Sequence, residues 1–141
     1  RENRPAKVLG TLNVLSQEKV ATVNTVFDET AIIAGLDVKR SQMVFAHPKI
    51  DLGKKGFPIT NVYLELLVDP QKCIVAEKVL YDYCLYSENR DSMMGHALDY
   101  WRKSLNLADY LKWFKNGDSF FASAEVLIPG AIPTDKIRIY R

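Results

Sequence analysis

The stretch at residues 120–130, FFASAEVLIPG, most constrains the fold of this chain. It is typical of a strand that ends at a Pro-Gly turn, and strand alternation places four side chains on one face: Phe121, Ser123, Glu125 and Leu127. A carboxylate among apolar neighbours costs free energy unless it has polar partners. Two interpretations follow: Glu125 lies on the wet face of a half-buried strand, or it is held in a cleft for chemistry.

The size and charge of the chain favour one soluble domain. Its 141 residues match the commonest domain size, and a content of 48% hydrophobic and 26% charged residues is ordinary for a globular protein. The net charge of +2 comes from 19 basic and 17 acidic residues, so no large field attracts nucleic acid or an anionic membrane. This balance argues against a dedicated DNA-binding module.

The sequence contains no recognisable targeting or membrane-spanning segment. No apolar run approaches the roughly 20 residues that a transmembrane helix needs, and no signal peptide opens the chain, so a membrane partner is not expected. The chain begins with Arg1 rather than Met, which suggests a fragment of a longer polypeptide. The compartment is therefore unknown, although a soluble, cytoplasmic protein fits the composition.

Apolar periodicity predicts a single α+β domain over residues 1–141, with residues 1–7 disordered. Two or three helices are expected, from the segments 16–27, 29–34 before Gly35, 89–105, and a turn or two at 109–114. Short strands are expected at 7–14, 43–47, 60–68, 73–75, 79–85, 120–128 and 137–140, with a loop at 51–58. The irregular order of these elements disfavours a doubly wound parallel sheet, so the strands should be mainly antiparallel.

The familiar catalytic and metal motifs are missing from the sequence. It has no Gly-rich phosphate loop, HExxH, EF-hand or GxSxG element. Cys73 and Cys84 are interpreted as two buried thiols in a reducing compartment, with a disulfide across a hairpin as the alternative. No metal site is expected, because the two cysteines and two histidines follow no zinc spacing.

A polar segment at residues 81–91 gathers tyrosines, an asparagine, an arginine and carboxylates before a predicted helix. The structural interpretation is that Ser87, Asn89 or Asp91 caps that helix. The functional one is that Asn89 and Arg90 hold a polar ligand, since a guanidinium suits phosphate through bidentate hydrogen bonds.

Three cationic or titratable residues stand alone in the sequence. His47 ends a predicted strand before Pro48, a place where functional side chains gather, but the sequence identifies no partner for it. His96 lies in a predicted helix, where a structural or surface role is the simpler interpretation. Arg40 precedes the strand of His47 and suits a phosphate, although a plain surface arginine is the alternative.

Residues 123–133, SAEVLIPGAIP, resemble the end of an ADP-ribosyltransferase domain, in particular that of the DNA-modifying DarT-type toxins. That family places its catalytic glutamate in an "AE-apolar-L-apolar" strand followed by a proline. The order of the upstream elements is also similar. The resemblance implies a split-sheet ADP-ribosyltransferase-like fold, NAD as co-substrate, and transfer of ADP-ribose to a macromolecular acceptor, either nucleic acid or protein. An inhibitory partner protein is implied for a toxin.

The resemblance assigns roles to residues of this sequence. Glu125 takes the place of the catalytic carboxylate beside the nicotinamide ribose, and Ser123 is expected to touch substrate or cofactor. The family's early cation is missing beside Thr11, and Arg40 is the expected substitute contact to the phosphates of NAD. The remaining expected cofactor contacts are Tyr81, Asn89 and Arg90.

Two other functions remain open from the sequence. The main alternative is a non-catalytic protein-interaction module with the same kind of fold, in which Glu125 faces solvent. A weaker one is a metal-independent nuclease that uses His47, His96 and Arg90, which no spacing supports.

Overall fold

The computed structural model describes residues 3–48, 63–113 and 121–140. These residues form four α-helices: α1 (Asn3–Ile33), α2 (Lys78–Tyr86), α3 (Arg90–Lys103) and α4 (Leu107–Trp113). They also form six strands: β1 (Met43–Ala46), β2 (Tyr63–Leu66), β3 (Ile74–Glu77), β4 (Leu105–Asn106), β5 (Ala124–Pro129) and β6 (Ile137–Tyr140). The predicted α+β class is confirmed, with one helix more than the expected two or three.

The chain divides into two compact units. The first contains Arg1–Ser41 and Leu80–Arg102, and it is built from α1, α2 and α3. The second contains Gln42–Val79 and Lys103–Arg141, and it holds all six strands together with α4. Three of the four described helices are thus separated from the strands, as is usual in α+β proteins.

The core of the first unit is aromatic. Phe27 is fully buried, and the centroid of its ring lies 4.9–6.0 Å from three other rings: Tyr81, Tyr100 and Trp101. The Trp101 indole N–H donates to the Phe27 carbonyl at 2.9 Å, so the polar atom of this buried side chain is satisfied. Smaller side chains fill the rest of the core: Val23, Val26, Ala31, Leu80, Cys84, Met93 and Ala97. This apolar burial, at about 25 cal/mol per Å², stabilises the packing of the three helices.

Helix α1 ends at a glycine, as the sequence predicted. Gly35 has a φ of +83°, a left-handed conformation that glycine adopts without a Cβ clash. The N–H of Gly35 donates to the Ile32 carbonyl at 3.0 Å, and the N–H of Leu36 donates to the Ala31 carbonyl at 2.8 Å. These two bonds satisfy carbonyls that have no partner inside the helix, which is the Schellman arrangement.

Two predicted strands are wrong, because their residues are helical. Residues 7–14 belong to α1, which begins at Asn3, inside the stretch expected to be disordered, and joins the two helical segments predicted at 16–27 and 29–34. Helix elongation adds one hydrogen bond per residue, so an established helix extends at little cost. Residues 79–85 belong to α2, in which Leu80 and Cys84 are buried. Their spacing of four places them on one helical face, and this packing outweighs the strand preference of the tyrosines.

The strands of the second unit form two antiparallel sheets. The larger has the order β1-β5-β3-β4, so β5 is an inner strand, and the smaller pairs β2 with β6. In the larger sheet Phe45 lies opposite Leu127 on one side, and Ile74 lies opposite Leu127 on the other. The strands predicted at 43–47, 60–68, 73–75, 120–128 and 137–140 are confirmed at their centres, and β4 was missed because it has only two residues. The loop predicted at 51–58 lies outside the described residues.

One face of the larger sheet packs against α4. The cluster contains alternate residues of β5, Val75 of β3 with Cys73 just before that strand, and two residues of α4: Ala124, Val126, Ile128, Cys73, Val75, Leu107 and Tyr110. The Phe121 ring stacks on that of Tyr110 at a centroid distance of 5.9 Å. The N–H of Leu107 donates to the Cys73 carbonyl at 2.9 Å, which fixes the start of α4 against the sheet.

Both cysteines are free and buried, so the prediction of two buried thiols is confirmed and the hairpin disulfide is wrong. Burial raises the pKa of the Cys73 thiol, with a smaller contribution from Asp69. It raises the pKa of the Cys84 thiol to about 11, although Arg40 acts in the opposite direction. Thiols of this kind are poor nucleophiles because little thiolate is present at neutral pH.

Within residues 3–48, 63–113 and 121–140, none of the helices has the length and apolar character needed to cross a bilayer.

We expect the stability of the chain to fall between about pH 9 and pH 11. Above the ordinary thiol pKa of 9.0 the unfolded Cys84 releases its proton, whereas the folded thiol keeps its proton up to about 11. The folded state then binds more protons than the unfolded state, so the free energy of unfolding decreases as pH rises through this window. Urea unfolding at several pH values, compared with Cys84→Ala, measures the effect. If the free energy of unfolding depends on pH in the same way in the unsubstituted protein and in Cys84→Ala, this prediction is wrong.

Candidate functional site

Glu125 is the second residue of β5 and lies in the interior of the protein. Its exposed fraction is 3%, and the residue directly opposite on β3 is Ala76, which is fully buried. Leu127, two residues further along the same face, is fully buried as well. The wet-face interpretation of Glu125 is therefore wrong. In the Ala76–Glu125 pair, Ala76 has only a methyl side chain, so Glu125 supplies the larger side chain.

The segment that leads into β5 is bound by a second carboxylate, that of Glu77. Its Oε2 accepts from the Ala122 N–H at 2.7 Å, and its Oε1 accepts from the Ser123 N–H at 2.9 Å. The Ser123 carbonyl accepts from the Lys78 N–H at 2.8 Å. Ser123 was predicted to touch substrate or cofactor. The structure places it two residues before Glu125, half-buried, with its N–H bonded to Glu77 at the end of β3 and its carbonyl bonded to Lys78 at the start of α2.

His47 lies beside the same segment and directly follows β1, the other strand next to β5. Its Nδ1 is 3.2 Å from the Ala124 carbonyl oxygen. A carbonyl oxygen only accepts, so this contact assigns the proton to Nδ1. The last residue pair of β1 and β5 is Ala46 with Val126. His47 directly follows Ala46, and Glu125 directly precedes Val126.

Arg40 and Tyr81, both predicted to contact NAD, lie together in the first unit. Arg40 is 5% exposed, and its guanidinium carbon lies 3.5 Å from the centroid of the Tyr81 ring. The Nε of Arg40 donates to the Tyr100 hydroxyl at 3.2 Å, and the Phe27 ring is 5.5 Å away. A desolvated cation against aromatic faces is stabilised by the ring quadrupoles. The surface-arginine interpretation is therefore wrong, because Arg40 is part of the aromatic core.

Asn89 and Arg90 lie at the start of α3. The Asn89 Oδ1 accepts from the Ser92 N–H at 2.7 Å, which is the geometry of an N-cap. The capping interpretation is thus confirmed for Asn89. Arg90 is exposed and forms an ion pair with Glu29 of α1. His96 is in α3, and its ring centroid lies 5.3 Å from that of Tyr83.

The predicted site residues fall into two groups. Glu125 and Ser123 belong to the second unit, whereas the first unit contains Arg40, Tyr81, Asn89 and Arg90. Sequence reasoning missed Glu77 altogether and found no partner for His47. The only signal for Glu77 in the sequence is a carboxylate at the end of an apolar stretch, IVAE. Among the described residues no group of three or more His, Cys, Asp or Glu is arranged to hold a metal ion.

Searches of protein-family models, curated proteins and solved structures find no match to this chain.

We predict that Arg40→Lys lowers the free energy of unfolding by about 2 kcal/mol, because lysine loses the planar stacking on Tyr81 and the bond from Nε. The matched control is Arg90→Lys, which keeps the charge beside Glu29 at an exposed site. That change should cost less than about 0.5 kcal/mol. Urea unfolding measures both, and equal effects of the two substitutions would contradict the prediction.

We predict that Asn89→Ala destabilises the chain by about 1 kcal/mol, since the Ser92 N–H loses its acceptor. Asn89→Asp and Asn89→Ser retain a capping oxygen and should stay close to the unsubstituted protein. Thermal unfolding followed by circular dichroism measures the three variants. Losses of the same size in all three would show that the cap is not what Asn89 contributes.

Proposed function

We propose that this chain is an ADP-ribosyltransferase-like domain, a toxin or effector in which Glu125 is the catalytic carboxylate. The observation that carries the proposal is the burial of Glu125 on the inner strand β5, within the SAEVLIPGAIP segment that resembles the family's glutamate strand. Carboxylates are rarely fully buried, so a buried one on an inner strand is a candidate functional residue. The split-sheet ADP-ribosyltransferase-like arrangement is part of this proposal.

The reaction is a glycosyl transfer from NAD. The bond between the nicotinamide nitrogen and C1′ of the ribose breaks, and its electron pair leaves with nicotinamide. Positive charge develops on the ribose as the bond lengthens, and a carboxylate fixed beside it stabilises that charge most effectively where water is excluded. The acceptor nucleophile then bonds to C1′ and gives up its proton, for which a carboxylate is a suitable base.

The partners follow from this chemistry. NAD is the co-substrate, and the acceptor is a macromolecule, either nucleic acid or protein. Ser123, two residues before Glu125, is the expected neighbour that contacts substrate or cofactor. If the domain acts as a toxin, we also expect a partner protein that binds and inhibits it.

Glu125→Gln should abolish NAD turnover while leaving the fold intact, because glutamine has the same size but no charge. We expect a decrease of about 100-fold or more in the rate of nicotinamide release. The assay uses purified protein with labelled NAD and, in separate reactions, DNA, RNA and protein acceptors. Glu65→Gln is the control, since Glu65 belongs to the separate two-stranded sheet and pairs with Arg138.

Two results would contradict the proposal. One is a folded, unsubstituted chain that binds no NAD in calorimetry. The other is equal turnover in the unsubstituted protein and Glu125→Gln.

The second candidate function is a non-catalytic interaction module. An exposed apolar pair favours it: Leu64 of β2 and Ile139 of β6 lie directly opposite each other, with exposed fractions of 62% and 55%. Apolar side chains in a cross-strand pair on an open face are typical of contact surfaces. For such a module, Leu64→Ser with Ile139→Ser should weaken partner binding, and Glu125→Gln should leave it unchanged.

A further inference from the structure

We infer that Glu77 and His47 are positioning residues for Glu125, an inference that rests on the proposed function. Both side chains bond backbone atoms of residues 122–124, the segment named here the β5 entry. Glu77 reaches it from the end of β3, and His47 reaches it from the position directly after β1. β3 and β1 are the two strands that flank β5 in the sheet.

Glu77 binds the β5 entry with both carboxylate oxygens. Oε2 accepts from Ala122 at 2.7 Å and Oε1 accepts from Ser123 at 2.9 Å, so two consecutive N–H groups are satisfied by one ionised side chain. Hydrogen bonds to a charged acceptor are about twice as strong as neutral ones. These residues precede the regular strand, where the sheet ladder alone does not hold them. Through Glu77, β3 thus bonds residues 122 and 123, which precede the first residue of β5.

His47 binds the last peptide group before Glu125. Its Nδ1 donates to the Ala124 carbonyl at 3.2 Å, and that carbonyl carbon is bonded directly to the Glu125 nitrogen. The Ser123 carbonyl is held in turn by the Lys78 N–H at 2.8 Å. The backbone immediately before Glu125 is therefore bonded by two side chains, that of Glu77 at the end of β3 and that of His47 directly after β1.

This arrangement restricts where the Glu125 carboxylate lies. A catalytic group acts only in a narrow range of positions, and a displacement of about 1 Å can reduce a rate about 100-fold. Loss of the Glu77 or His47 bonds leaves the carboxylate present and buried but less fixed. Cleavage of the nicotinamide–ribose bond in bound NAD then becomes slower, whereas NAD binding is unaffected. We therefore expect kcat to fall and KM to stay unchanged.

The first experiment uses Glu77→Gln, in which an amide replaces the carboxylate and only one oxygen remains as an acceptor. Amide hydrogen exchange at Ala122 and Ser123, followed by NMR, should become about tenfold faster or more, since bonds to a charged acceptor are lost. The amides of Val126 and Leu127, inside β5, should keep their rates. In the same variant kcat for nicotinamide release should fall at least about tenfold with KM for NAD unchanged, whereas Glu65→Gln changes neither quantity.

The second experiment separates positioning by His47 from a direct chemical role. An asparagine side-chain nitrogen can donate from nearly the place of Nδ1, but it cannot take up a proton as an imidazole does. We expect His47→Asn to retain most of kcat and His47→Ala to lose at least about tenfold. Equal losses in His47→Asn and His47→Ala would overturn the positioning role.

The two readouts keep this inference distinct from the proposed function. Hydrogen exchange at the β5 entry requires no NAD, so unchanged exchange in Glu77→Gln overturns the role of Glu77 whether or not the chain is an enzyme. Faster exchange together with an unchanged kcat shows that Glu77 binds the segment without positioning Glu125, which also overturns the inference. A lack of NAD turnover in the unsubstituted chain contradicts the proposed function itself.

Discussion

The pairing of β5 with a strand on each side is the constraint on which the second unit depends. Because β5 is an inner strand, both of its edges are bonded, and both of its faces are buried from Ala124 to Ile128. One face supplies Ala124, Val126 and Ile128 to the core under α4. The other face carries the carboxylate of Glu125, which is 3% exposed. Carboxylates are rarely buried to this extent, and this burial identifies Glu125 as a candidate functional residue.

The first unit depends on a different interaction, the burial of a cation among aromatic rings. The guanidinium of Arg40 lies against Tyr81 and bonds Tyr100, while Phe27 packs on both of these rings. Arg40 precedes β1 in sequence, so the same contacts fix the point at which the chain leaves the first unit. An arginine suits this place better than a lysine because its planar, weakly hydrated head stacks on rings.

Local signals in the sequence predicted elements whose stability is local. The end of α1 at Gly35, the cap at Asn89 and the strand at 137–140 were all anticipated, since each depends on neighbouring residues or on strand alternation. The prediction failed at residues 79–85, where tyrosines and β-branched residues favour a strand. There the apolar pair Leu80 and Cys84 packs into the helical core, and such tertiary burial is not visible in a short window.

The sequence by itself determined that a strand containing Glu125 exists, because alternation and the Pro-Gly turn are properties of consecutive residues. Only the tertiary structure decided that this strand is an inner one and that Glu125 is buried. It also decided which side chains hold the β5 entry, since Glu77 is 46 residues from Ser123 and His47 is 77 residues from Ala124 along the chain. Contacts over such separations arise from the pairing of whole strands, and no local pattern in the sequence encodes them.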